Sequence, residues 1–343
     1  MARFFYRPLW IPILIGTFFF LALGGGRTLN PEDISWISLG DPSQHYLGWE
    51  FFRLSKLQTP PGLNPFFGAE VSSSIVYSDS IPIVAIILKL FDSYLSRPFQ
   101  YLGLWYLLSF IMQSLIAWKI SELFVDGVWL KVINTCLLAF CPAFLNIVGT
   151  TAALSTHFLI LTSIYLTLRP KNRYQDAYWG FLTALSLGIH FYLYVMVIGV
   201  WVSDTLDRVA NKDLKITRSF ITYFSAIICM NAALFWVYGY LATGGSATNA
   251  SGYGIFPNQL DPLSIIYDRD WSYIESLTPE LFKSHPSSNY LGFGLLLAFI
   301  LVGIALIKKS IYLPNFYKKR FLVLLCVFLT LFSLSNNLVP GAQ

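Results

Sequence analysis

Residues 177–206 read AYWGFLTALSLGIHFYLYVMVIGVWVSDTL, an apolar run of 30 residues. A membrane crossing takes roughly 20 apolar residues, so this run is long for one span and short for two. Gly188 and His190 stand near its middle, where a chain that goes out and comes back would turn. Broken helices at membrane depth are tolerated where they line a cavity. Further apolar runs lie at about 9–24, 81–91, 99–118, 132–148, 152–168, 219–241, 291–307 and 321–334. The 81–91 run has only 11 residues and is interrupted by Lys89, which suits a re-entrant or surface helix rather than a crossing.

Composition agrees with a chain built around such runs. Of 343 residues, 55% are hydrophobic, 17% aromatic and 12% charged, against about 25% charged in a typical soluble domain. That balance, with a mean hydropathy of +0.59, excludes a disordered chain, a nucleic-acid-binding domain and an ordinary cytosolic enzyme. The class is a polytopic helical membrane protein, all-α. Cys136, Cys141, Cys229 and Cys326 all fall within apolar runs, without CxxC or Cys/His metal spacing, and read as small lipid- or core-facing residues.

Basic residues orient the spans. Five clusters carry them: Arg3/Arg7, Lys119/Lys131, Arg169/Lys171/Arg173, Arg208/Lys212/Lys215/Arg218 and Lys308/Lys309/Lys318/Lys319/Arg320. All five are cytoplasmic only if 81–91 does not cross and 177–206 turns back. That arrangement puts 16 of the 23 basic residues inside and 12 of the 18 acids outside. It gives about nine crossings with a cytoplasmic N-terminus. The first run, long for a signal peptide from Phe4 to Gly24, reads as a retained helix. The chain is then a single transmembrane domain, 1–343, with two large outer segments at 25–98 and 242–290.

The first outer segment holds two helix starts. In Gly40-Asp41-Pro42-Ser43-Gln44-His45, Asp41 can cap, Pro42 suits a first turn and Gln44 completes a capping box. Tyr46, Leu47, Phe51 and Leu54 then form an apolar face, with Gln44, Glu50 and Arg53 polar, as in a helix lying on a membrane surface. Further on, Asp79 or Ser80 would cap the short helix that opens with Pro82. Helix N-termini bind phosphate through free N–H groups and dipole; the plain alternative is two ordinary caps. Asp41 sits directly after the first span, at headgroup height, with His45 one turn on.

All four histidines, His45, His157, His190 and His285, map to the outer side, either as satisfied interfacial residues or as the lining of a polar cavity that faces a phosphate or sugar. They lack close metal-ligand spacing, so no metal site is read from them. The second outer segment carries Asp261, Asp268, Arg269, Asp270, Trp271, Tyr273 and Glu275, a mixture of aromatics and carboxylates that suits sugar binding or an exposed loop. Asn249-Ala250-Ser251 is a lone glycosylation sequon.

This layout resembles the GT-C superfamily of integral-membrane glycosyltransferases, which use polyprenyl-phosphate-linked sugars. The stretches 40–53 and 73–82, GDPSQHYLGWEFFR and SSIVYSDSIP, look like an uncharacterised bacterial membrane family of the same layout. The resemblance implies an acidic catalytic base early in the first outer loop, at Asp41. Many GT-C relatives carry a paired acidic motif; here Asp41 is followed by Pro42 and Ser43, which leaves a divalent metal open and no cofactor fixed. Such enzymes also run on further than Gln343, so a late donor-binding part is unmatched and the C-terminal part reads as truncated.

The expectation is an inverting sugar transfer from a polyprenyl-phosphate-linked donor to a glycan or lipid acceptor. It would take place at the outer face of a bacterial inner membrane, with membrane lipid as solvent and no nucleic acid. Asp41 is the base, and Gln44, His45, Asp79, Ser80, His157 and His190 bind substrate. The rivals are a lipid-linked saccharide transporter or flippase, marked by charges buried mid-span, and a non-catalytic membrane assembly factor.

Overall fold

The computed structural model describes residues 9–37, 40–68, 73–241, 292–308 and 316–333. Over these the chain is mostly helical. Helices α1 (Trp10–Ala22), α2 (Asp41–Leu54), α3 (Pro82–Lys89), α4 (Leu102–Ser121) and α5 (Val128–Ala139) are followed by α6 (Pro142–Leu145), α7 (Phe158–Leu168) and α8 (Gln175–Ile189). Then come α9 (Phe191–Ala210), α10 (Arg218–Val237), α11 (Phe293–Ile307) and α12 (Arg320–Ser333). One small antiparallel ribbon pairs β1 (Leu63–Asn64) with β2 (Ser73–Ser74), in the register Leu63 to Ser74 and Asn64 to Ser73. The chain divides into two compact units. One comprises Met1–Ala139, Ile147–Trp201 and Ile216–Gly245; the other comprises Phe140–Asn146, Val202–Lys215 and Ser246–Gln343.

Among the described residues two helices, α4 and α10, each of 20 residues, are long and apolar enough to cross a membrane by length and composition. The 132–148 and 152–168 runs give shorter helices, for local reasons. The 132–148 run breaks because Cys141 is extended (φ −67°, ψ 154°) before Pro142, as steric clash with a following proline demands. In the 152–168 run the Ser155 and Thr156 hydroxyls donate to the carbonyls of Ala152 and Ala153 at 2.7 and 2.6 Å. These local bonds compete with a helix, which begins only at Phe158. The 177–206 run is divided as its length requires: α8 ends at Ile189, His190 is extended (φ −159°, ψ 136°) and α9 starts at Phe191.

In the first unit α1 packs along α4 at very short range. A Cβ on Gly16 would lie 2.6 Å from the Phe110 carbonyl oxygen, so only glycine admits this approach, the small-residue contact typical of helices packed in lipid. The side-chain amide of Gln100 ties the turn after α1 to the start of α4. It donates to the Thr28 and Asn30 carbonyls at 2.8 Å each and accepts from the Gly103 N–H at 2.9 Å. Asn231 of α10 donates to Thr183 of α8 at 3.1 Å.

Helix α2 buries His45, Gly48, Trp49, Phe52 and Arg53 and exposes Leu47, Phe51 and Leu54. The exposed apolar stripe matches the sequence reading, but Arg53 does not lie on a solvent face. Its guanidinium is buried, donating to Asp92 at 2.5 Å and to the Ser96 carbonyl at 3.1 Å. A planar fork can reach two acceptors at once, which joins the end of α2 to the segment after α3. Lys89 of α3 reaches back to Ser55 at 2.8 Å and lies 3.9 Å from the centre of the Phe52 ring. Burial pulls its ammonium down to about 8.

The second unit is fastened where the end of α9 meets the start of α12. The Asp207 carboxylate accepts from the backbone N–H groups of Phe321 and Leu322 at 3.1 and 3.4 Å, supplying acceptors that the first turn of a helix lacks. Asp204 pairs with Lys319 at 3.8 Å, and Asn211 donates to the Lys318 carbonyl at 2.9 Å.

Helix α2 is held close to the 75–78 turn by an absent side chain. A Cβ on Gly48 would overlap Ser78 and come within 2.6 Å of the Ser80 hydroxyl. Gly48→Ala should therefore destabilise the protein by about 1–3 kcal/mol, the usual cost of overpacking, despite alanine's better helix propensity. Thermal unfolding in detergent measures this; an unchanged or raised melting temperature would show that the two segments part without cost.

Candidate functional site

Asp79 lies where three segments of the first unit meet. The chain enters it through a 3₁₀ turn, Ile75–Ser78, whose start is capped by the Ser74 hydroxyl. Asp79 (φ +52°) and Ile81 (φ +52°) are both left-handed, a conformation that costs a residue with a Cβ roughly 1–2 kcal/mol. The neighbours hold this strain in place. The Ser80 hydroxyl donates to the His45 carbonyl at 2.6 Å and lies 2.9 Å from the Ser78 hydroxyl, which donates to the Ile75 carbonyl at 3.0 Å. The buried Tyr101 hydroxyl donates to the Ser80 carbonyl. Strain maintained this way is found where a side chain must point in one direction.

The direction given to the Asp79 carboxylate is toward two imidazoles. His190 Nε2 is 3.1 Å from Oδ1, and His45 Nε2 is 3.9 Å from Oδ2. His190 is the extended residue between α8 and α9. Its Nδ1 accepts the Tyr192 N–H at 3.1 Å, which caps α9 and leaves Nε2 as the ring nitrogen that faces Asp79. His45 is 2% exposed and its Nδ1 is buried without a hydrogen bond. Burial pushes its pKa below the ordinary histidine value, against the opposing pull of Asp79 and then Asp41; His190 lowers it further.

Neither aspartate caps a helix. At α2 the N-cap is Gly40, with φ +72° and ψ −156°, a conformation open essentially to glycine alone. Asp41 is the first helical residue and is exposed. Ser43 closes the turn by donating to the Gly40 carbonyl at 2.6 Å. Gln44 does not complete a capping box; its amide reaches the Tyr77 carbonyl at 3.4 Å. At α3 the N-cap is Ile81, without a side-chain cap bond, so Asp79 and Ser80 are not caps there either. Glycine and backbone strain do the work that the sequence assigned to carboxylates, and both carboxylates are released from it.

The structure thus gathers Asp41, Gln44, His45, Asp79, Ser80 and His190 into one neighbourhood. His157 is the N-cap of α7; the pairings of Asp79 are with His45 and His190. His285, the 261–275 carboxylates and aromatics, and Asn249-Ala250-Ser251 lie outside the described residues. Among the described residues no group of three or more His, Cys, Asp or Glu is arranged to hold a metal ion. Sequence reasoning missed the tyrosines. Tyr77 donates to the Tyr240 carbonyl at 3.2 Å, Tyr240 to the Leu187 carbonyl at 3.1 Å, and the Asp79 carboxylate acts electrostatically on the Tyr240 phenol. The available signal was the placing of Tyr77 and Tyr192 two residues from Asp79 and His190.

The chain belongs to a family described as a domain of unknown function, DUF6311, whose model matches residues 13–343. No curated protein and no solved structure matches it.

A histidine kept neutral by burial makes stability fall on acidification. The unfolded chain takes up a proton below about pH 6.5, while folded His45 resists it, so stability rises with pH across this window. Thermal midpoints should drop between pH 7.5 and 5.5, and His45→Gln should flatten that slope. An equally steep slope in the variant would place the titration elsewhere.

Proposed function

We propose that this chain is an integral-membrane sugar transferase of the GT-C type. In this reading it crosses the membrane about nine times and works on a polyprenyl-phosphate-linked donor at the outer face of a bacterial inner membrane. The membrane reading is supported by how the apolar helices present themselves. The apolar window of α10 has a mean hydropathy of 1.8 and is only 11% buried within the protein. Exposed Phe293, Phe299, Ile300 and Leu301 give α11 the same character. Helices apolar on their outer faces need a lipid solvent.

The observation that carries the chemical reading is the Asp79 carboxylate, freed from capping and faced by His45 and His190 from two other segments, with Asp41 exposed one turn from His45. In the reaction an acceptor hydroxyl attacks the anomeric carbon. Asp41 takes the hydroxyl proton, and the bond from that carbon to the phosphate oxygen breaks, its electron pair leaving with the polyprenyl phosphate; the configuration inverts. Gln44 and His45, in the first turns of α2 where the helix dipole is positive, receive the departing phosphate. Asp79, Ser80 and His190 hold the sugar end of the donor.

Buried mid-span charges would favour a transporter. Asp204 and Asp207 are buried, but they are engaged with Lys319 and the first N–H groups of α12, as structural acids would be.

Three measurements test the proposal. Undecaprenyl phosphate should raise the melting temperature in detergent, by mass action on the folded state; no shift across several chain lengths would sink the transferase. Asp41→Asn should melt normally yet release polyprenyl phosphate from a polyprenyl-phosphate hexose about 10²-fold more slowly or worse. Normal turnover would remove Asp41 as base. For topology, a cysteine at Tyr94, which is 86% exposed, should label only from outside and one at Arg173 only from the cytoplasm; the reverse or a shared side contradicts the crossings proposed.

A further inference from the structure

The geometry points to a pyranose-binding subsite at Asp79, floored by its carboxylate and walled by the exposed rings of Tyr77, Phe191 and Tyr192, where the break between α8 and α9 meets the 75–81 turn. The substrate class rests on the sugar-transfer reading; the ring wall and the acceptor set are independent observations.

The carboxylate is placed to accept hydroxyls. An ionised carboxylate offers about four lone-pair sites. His190 Nε2 lies 3.1 Å from Oδ1, while His45 Nε2 stays 3.9 Å from Oδ2, beyond hydrogen-bond range. The Asp79 side chain is 34% exposed, so the remaining sites open outward. A vicinal diol fills such a pair of acceptors with two O–H donors.

The rings supply the other half of sugar recognition, an apolar face for the C–H side of a pyranose. Tyr77 and Tyr192 are each 48% exposed and Phe191 40%, yet each is braced. The Tyr77 hydroxyl is fixed on the Tyr240 carbonyl at 3.2 Å. The Tyr192 ring stands edge-on to His190 with centroids 5.0 Å apart. Phe191 packs on Tyr240 and Phe235 at 5.9 and 6.1 Å. Partly exposed rings that are already braced lose little freedom when a ligand lands on them, which is what makes aromatic contacts effective in binding.

Hydroxyl donors match this acceptor set better than the two ionic ligands that aromatic or polar pockets also take. A quaternary ammonium has no N–H or O–H with which to fill the open acceptors of Asp79 and draws its affinity from ring faces that enclose it. A phosphate would meet the lone pairs of Asp79 directly, anion against anion.

Saturation-transfer NMR tests this on the full chain in lipid nanodiscs, with methyl pyranosides of glucose, mannose, galactose and N-acetylglucosamine as probes. Tetramethylammonium and inorganic phosphate report the two rival chemistries. At least one pyranoside should bind through its ring C–H protons. Tyr192→Ala should weaken it about 3–10-fold, the worth of one ring face, and Asp79→Asn about tenfold or more, from loss of charge-assisted acceptors. Both positions are partly exposed, so melting temperatures near the wild-type value will confirm that the variants are folded. Absence of pyranoside binding, binding of tetramethylammonium or phosphate in its place, or pyranoside binding untouched by both Tyr192→Ala and Asp79→Asn would overturn the subsite. Pyranoside binding without any polyprenyl-phosphate binding would remove the transferase and leave the subsite. Donor turnover with no pyranoside bound would remove the subsite and leave the transferase.

Discussion

The closeness of α2 to the Ser78–Ser80 strap sets nearly everything else in the candidate site. Gly48 presents only hydrogen toward the strap, and the Ser80 hydroxyl can then reach the His45 carbonyl across it. That bond, with Tyr101 on the Ser80 carbonyl, pins two left-handed residues on either side of Ser80. The Asp79 carboxylate, carried on the backbone that those anchors hold, faces His45 and His190. A one-carbon addition at a helix interior is thus coupled to the position of a carboxylate on a different segment, through packing rather than through any direct contact.

Interior polar groups in the first unit serve a related end. Gln100 uses both its amide hydrogens and its oxygen on backbone groups, and Asn231 crosses from α10 to α8. Between helices whose surfaces are apolar, such bonds supply direction that hydrophobic contact lacks, and they fix which faces meet. The buried Arg53 works likewise at the end of α2, with the desolvation of its guanidinium offset by Asp92 and the Ser96 carbonyl.

Much of this was legible from residue patterns. The length of the 177–206 run, with His190 at its centre, called for a break, and the break falls at His190. The exposed stripe Leu47, Phe51 and Leu54 followed from helical spacing. The caps did not follow, because glycine at position 40 and a left-handed Ile81 leave the same sequence signature as an aspartate cap beside them. Arg53 was placed outside because its partner Asp92 lies 39 positions away, and helical periodicity carries no information about such pairs. The ends of the 132–148 and 152–168 runs depended on Pro142 and on two hydroxyls turning back on their own backbone, features that a hydropathy average smooths away. The gathering of His45, Asp79 and His190 needed three-dimensional proximity, with His190 more than a hundred residues along the chain from the other two.

The bond from Asp207 to the start of α12 has a consequence for how the chain is made. Its acceptor and the Leu322 N–H are separated by 115 positions. At a synthesis rate of about 5–20 residues per second, that gap takes roughly 6–23 seconds to fill. Throughout that interval the nascent protein carries a carboxylate that will finally be buried but has no helix to receive it. A ribosome-bound intermediate must therefore keep the end of α9 wet, or lend it a temporary partner. Closure of the second unit is then a late event in biogenesis, set by translation of residues 320–322 rather than by the folding speed of the helices already made.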